Sequence, residues 1–150
     1  MRIYFDVCCL SRPFDVQLQE RVRLETEAIL AIAHLVEEKR FELVSSIAVE
    51  LETQYILDDE KRKSVRVFAN QATIYVPMDE WIEKRATSLL QLQFKEMDSL
   101  HIACGERANV ELFFTTDDGL LRTASKHKKL LNITIANPVE WFMKERNNGN

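Results

Sequence analysis

The stretch Arg2-Ile3-Tyr4-Phe5-Asp6-Val7 decides how this chain is read. Its aromatic and β-branched residues favour a pleated surface, so residues 2–6 read as a strand. An acid stands at the end of that strand with no Gly or Pro before it. The pattern returns in Leu112-Phe113-Phe114-Thr115-Thr116-Asp117-Asp118, and Val44-Ser45-Ser46-Ile47-Ala48-Val49-Glu50 sets a further acid among apolar neighbours. Carboxylates delivered to the ends of buried strands repel one another unless something positive lies between them. A divalent metal is the usual answer.

Outward from the first strand, apolar runs and helical patterns alternate. Strands are expected at 2–6, 41–45, 73–76, 110–115 and 133–136. Between them lie helices at about 17–38, 46–57, 59–71, 79–93, 96–108 and 119–127, and a last one starts at Pro138. In the longest, Leu18, Val22, Ile29, Ile32 and Val36 recur at helical steps. Ser45 or Ser46 can cap the second helix, and Asp58, Asp59 and Glu60 before Lys61, Arg62 and Lys63 suit a helix start as well as a solvated face. This alternation implies an α/β three-layer sandwich, a five-stranded parallel sheet flanked by helices. Residues 1–146 form one domain in this reading and residues 147–150 fray.

Composition narrows the possibilities. The 150 residues are 46% hydrophobic and 29% charged with a net charge of -4, values of an ordinary globular chain that does not bind nucleic acid by charge alone. Cys8, Cys9 and Cys104 have neither zinc-site nor disulfide spacing and read as small apolar residues in a reducing compartment. A signal peptide and a membrane span of about 20 apolar residues are both missing, so a cytoplasmic location is expected.

Four acidic positions then matter: Asp6, Glu50, Asp98, and Asp117 with Asp118. No clear helix follows Asp6, so capping does not account for it. Glu50 shares its helix with Glu52, and either can face inward. Asp98 opens a helix and can serve as its cap. One of Asp117 and Asp118 caps the next helix, which leaves one spare. In a parallel sheet these acids meet beyond the carboxyl ends of the strands. Oxygen ligands of this kind suit Mg²⁺ or Mn²⁺. Such ions lower the pKa of bound water and stabilise in-line displacement at phosphorus, so phosphodiester hydrolysis is the natural chemistry.

The blocks at Asp6, Ser45 to Leu51, Asp98-Ser99-Leu100-His101-Ile102-Ala103, and Phe114 to Asp118, in this order and spacing, resemble the PIN domain family, in particular its stand-alone VapC-type members. The resemblance covers nearly the whole chain. It implies a Mg²⁺- or Mn²⁺-dependent endoribonuclease in which Asp6, Glu50, Asp98 and Asp117 are the catalytic, metal-holding acids. Asp118 stands beside them as a further candidate ligand, and Ser45 and Thr115 support the site. It also implies a toxin of a toxin–antitoxin pair, with an RNA substrate, a cognate antitoxin seated on the 17–38 helix or the 46–71 region, and a homodimer.

Arg12 and Arg122 are candidate phosphate contacts, with Lys126, Lys128 and Lys129 nearby. His101 reads as a histidine packed on the sheet that donates a hydrogen bond, and Trp81 and Trp141 as core or interface residues. The alternative is a catalytically inert or regulatory PIN-fold domain that binds RNA or protein. A receiver domain would need an early acid pair and a later Lys, and a haloacid-dehalogenase-like phosphatase would need an acid where Cys8 stands.

Overall fold

The computed structural model describes residues 1–148. Five short strands form one parallel sheet: β1 (Arg2–Phe5), β2 (Glu42–Ser46), β3 (Ile74–Val76), β4 (Leu112–Phe114) and β5 (Thr134–Ala136). Their spatial order is β3-β2-β1-β4-β5, so the first strand lies at the centre. Eight α-helices among the described residues flank the sheet: α1 (Val7–Ser11), α2 (Glu20–Glu37), α3 (Ile47–Thr53), α4 (Asp59–Ala69), α5 (Glu80–Leu90), α6 (Glu96–Arg107), α7 (Asp118–Lys126) and α8 (Pro138–Asn148). No described helix is long and apolar enough to cross a membrane.

Successive side chains of a strand point to opposite faces, and in-register neighbours share a face. Tyr4 pairs with Val44 and Phe113, and its ring stacks on Phe113 at 4.9 Å and meets His101 of α6 at 5.6 Å. Phe5 and Phe114 point the other way, onto Phe68 of α4 at 5.7 Å and Trp141 of α8 at 5.4 Å. Two apolar layers therefore close on one sheet, with Ile3, Tyr4, Phe5, Phe113 and Phe114 essentially without exposure. Trp141 packs as expected of a core residue, whereas Trp81 is half-exposed.

Some local expectations need correcting. A helix does follow Asp6: α1 is only five residues long, too short to show an apolar period. The long helix begins at Glu20 rather than 17. The Gln17 amide donates to the carbonyls of Arg12 and Asp15, which holds 15–19 in turns and leaves Leu18 exposed. The next helix stops at Thr53, and the Ile56 carbonyl accepts from Arg62 instead of continuing it. Asp98 lies in the first turn of α6, whose cap position is Lys95, so it caps nothing. Asn147 and Asn148 belong to α8, and the rest of the expected frayed end lies outside the described residues.

Candidate metal centre

Two strand ends, those of β1 and β4, and two helices, α3 and α6, deliver the acids. Asp6 continues β1, its backbone N–H donating to the Phe114 carbonyl at 3.2 Å. Its carboxylate Oδ1 accepts the Cys9 N–H at 3.1 Å and the Cys8 thiol at 2.9 Å, so Asp6 caps α1 while standing buried at the sheet end. Burial pushes its pKa up, with the Cys8 sulfur adding to the rise; the Thr115 hydroxyl and the Cys9 N–H act against it. Thr115 also accepts the Asp117 N–H at 3.1 Å. One hydroxyl thus ties the acid after β1 to the acid after β4.

Asp98 and Asp117 face each other electrostatically. Burial, then the charge of Asp117, pushes Asp98 up to about 6, with Glu52 adding to the rise and His101 and Lys95 opposing it. Asp117 keeps one oxygen on the Gly119 and Leu120 N–H groups, capping α7. Glu52 is fixed by His101, whose Nε2 lies 2.7 Å from Oε1. With Nε2–H donating to the carboxylate, Nδ1 accepts from the Tyr4 hydroxyl at 2.6 Å. Tyr4 in turn shares a 2.7 Å hydrogen bond with Ser46, which caps α3. His101 is buried and hydrogen-bonded, in keeping with its sequence reading, and it bonds to an acid of this cluster.

The structure separates other candidates from this cluster. Ser45 and Ser46 are neighbours on a strand and face opposite layers; so do Glu50 and Glu52, two residues apart on a helix. Ser46 and Glu52 turn toward Tyr4 and His101 of α6. Ser45 and Glu50 line a different hollow, of about 340 Å³, beside Arg66 of α4 and Asn70 just after it, where Glu50 accepts the Tyr75 hydroxyl at 2.9 Å. The exposed Asp118 is clasped by Arg21 through two 2.9 Å hydrogen bonds.

Arg12 is similarly engaged. Its guanidinium reaches Asp15 at 3.1 Å, the Thr116 hydroxyl at 3.2 Å and the buried Glu25 at 3.1 Å, the last a charge contact at poor hydrogen-bond angle. Arg122 lines a hollow beside β5 and α8, together with Lys128 and Lys144. Glu25 was not singled out in the sequence. Its place in the row Val22, Glu25, Ile29, Ile32 on the apolar stripe of α2 is the signal that could have found it.

The donor set near Asp98 consists of hard carboxylate oxygens, and burial, with the neighbouring like charges adding to it, leaves one of them reluctant to ionise. That chemistry fits a divalent cation such as Mg²⁺ or Mn²⁺. Asp6, Glu52, Asp98 and Asp117 are the candidate residues to hold it.

A parallel sheet of order β3-β2-β1-β4-β5 with acids beyond its carboxyl edge defines an α/β protein with a candidate cation centre. The model of the PIN domain family matches residues 4–126, and the chain belongs to the PIN domain family. Eight chains of solved structures match. Among them is the crystal structure of VapBC2 from Rickettsia felis bound to a DNA fragment from their promoter. It is similar over 91% of this chain and 98% of that chain, with 13% identity and a TM-score of 0.58, a likeness of fold. No curated protein matches.

Proposed function

We propose that this chain is a divalent-metal-dependent endoribonuclease, using Mg²⁺ or Mn²⁺, and the toxin of a toxin–antitoxin pair. The observation that carries the reading is the group Asp98, Asp117 and Glu52, in which burial and like charge raise a carboxyl to about 6. A cation held there would lower the pKa of a bound water and neutralise charge developing on a phosphate. The chain's own residues supply the positioning. Thr115 orients Asp6 and the Asp117 backbone, and His101, backed by Tyr4 and Ser46, orients Glu52. Glu52 takes the role that the family resemblance gives Glu50, and Ser46 that of Ser45.

Among the candidate phosphate contacts Arg122 is retained, because the charge of Arg12 is already shared between Asp15 and Glu25. A partner antitoxin and a homodimer are part of the same reading. The apolar residues that α2 and α4 leave exposed, Leu24, Leu30 and Val67, offer the antitoxin a surface.

Incubation of RNA with the wild-type chain and Asp6→Asn, with Mg²⁺ and with EDTA, tests the chemistry. Cleavage only by the wild type with metal is expected. Cleavage that survives both EDTA and the substitution sinks the metal-dependent reading, and inactivity in every condition, with no metal bound in calorimetry, leaves an inert PIN-fold domain.

A further inference from the structure

The end of β1 carries a second donor set that oxygen chemistry leaves unused. The thiol sulfurs of Cys8 and Cys9 and a carboxylate oxygen of Asp6 all lie within 4.8 Å of one another. Cys8 donates to Asp6 Oδ1 at 2.9 Å, and its sulfur lies 3.4 Å from both the Thr115 hydroxyl and the Thr116 N–H. Cys9 is fully buried, which closes the set on its protein side, whereas Cys8 keeps some exposure and gives an ion a way in. Both are free thiols. Two vicinal sulfurs packed against a carboxylate are more than the small apolar filling that their spacing suggests.

We propose that Cys8, Cys9 and Asp6 bind a thiophilic divalent cation of the zinc class, and that this ion competes with the hard cation for Asp6. Tetrahedral zinc sits about 2.3 Å from sulfur and about 2.0–2.2 Å from oxygen, which spaces its ligand atoms by roughly 3.5–3.8 Å. Side-chain adjustments of about 1 Å bring the three donors to that spacing. Water completes the coordination, the arrangement of an open site. Binding releases the two thiol protons to solvent and involves no change of oxidation state. Sulfur selects zinc over Mg²⁺, and oxygen alone does the reverse. One aspartate thus stands between a hard and a soft donor set. Inhibition of RNA cleavage by zinc is a consequence that rests on the nuclease reading; the binding site itself does not.

Titration of the reduced, chelator-treated full chain with Cd²⁺, a spectroscopic stand-in for zinc, tests the site through the ultraviolet thiolate-to-metal absorbance. One equivalent should produce a band of two-sulfur intensity, and Zn²⁺ should abolish it by displacement. Cys8→Ser should weaken binding by at least the roughly 10- to 100-fold that losing an outer-sphere partner costs. Cys104→Ser, which removes the remaining free thiol, should leave the band unchanged. Excess Mg²⁺ should weaken the Cd²⁺ affinity of the wild type. Absence of the band, or a band unchanged in Cys8→Ser, overturns the sulfur site. A Cd²⁺ affinity indifferent to Mg²⁺ overturns the sharing of Asp6. None of these signals depends on RNA cleavage, so the site and the nuclease reading fail separately.

Discussion

Two groups of acids stand beyond the carboxyl ends of the strands and are held in opposite ways. Asp15, Glu25 and Asp118 are interlocked with Arg12, Arg21 and Lys61, and Asn137 completes the lattice by donating to Glu25 at 2.9 Å. Asp6, Glu52 and Asp117 rest instead on hydroxyls, backbone N–H groups, a thiol and one imidazole, and Asp98 shares their charge environment. In the first group every carboxylate has a fixed cation and serves as scaffold. In the second, burial and then like charges raise the Asp98 carboxyl, and the group gains from any cation that enters. The difference locates the candidate chemistry in the uncompensated group.

Breaking the compensated group should have the largest effect on stability. Glu25 is 1% exposed and bridges α2 to Arg12, Arg21 and the cap of α8. Removing one partner of a buried pair strands the others, at about 3–5 kcal/mol. Glu25→Ala should lower unfolding free energy by that amount in urea denaturation at pH 7. A loss below about 1 kcal/mol would show that the lattice is surface decoration of the kind that exposed pairs provide.

Next comes the contrast between the two faces of α3. Glu52→Gln should cut metal-dependent RNA cleavage by roughly 10²-fold or more, in the range seen when a charge-stabilising group is lost. Glu50→Gln, which touches only Tyr75 and its separate hollow, should stay within about twofold of the wild type on the same scale. The reverse order in a side-by-side assay would return the site acid to Glu50.

The Asp98 carboxyl offers a smaller effect with a pH signature. Its folded-state pKa, about 6, lies above the ordinary 3.8, so the folded chain holds this proton more tightly than the unfolded one. The stability this contributes is fully present below about pH 4 and is lost as pH rises through 6. Asp98→Asn removes the loss. Without metal at pH 7 the variant should be more stable than wild type by about 1–2 kcal/mol, discounted for partial exposure from the roughly 3 kcal/mol of a two-unit shift. The gap should close toward pH 4, and Mg²⁺ should narrow it at pH 7 by stabilising the wild type. Thermal unfolding at the two pH values checks this, and a gap that grows on acidification would reverse the assignment.

How much of this could be read in the sequence follows from periodicity. Alternation of apolar runs and helical patterns was enough for a parallel α/β sandwich, because long apolar stripes such as Val22, Ile29 and Ile32 leave few alternatives. Asp6 and Thr115 followed from their places just beyond strands. What escaped reading was parity. Ser45 or Ser46, and Glu50 or Glu52, differ only in which face they take, and that depends on a register set by partners distant in the chain. The five-residue α1 escaped because a single turn shows no period, and with it the cap role of Asp6 and the contact of Cys8. The ion pairs of Arg12 and Asp118 were not legible because their partners, Glu25 and Arg21, lie on another helix.

Asp117 and Asp118 bring the comparison to adjacent residues, where the smallest effect should separate the two groups most sharply. Asp118 is 56% exposed and hydrogen-bonded by Arg21, itself half-exposed. Exposed pairs of this kind are screened by water and salt. Asp118→Asn should leave the urea midpoint and RNA cleavage indistinguishable from wild type. Asp117 both caps α7 and raises Asp98. Asp117→Asn keeps a side-chain oxygen for the Gly119 and Leu120 N–H groups, since Asn caps about as well as Asp. It should therefore abolish cleavage while costing little stability, and it should lower the Asp98 carboxyl only part of the way, since burial still holds it up. A cleavage defect in Asp118→Asn matching that of Asp117→Asn would place the Arg21 clasp inside the reacting site and dissolve the division between the two groups.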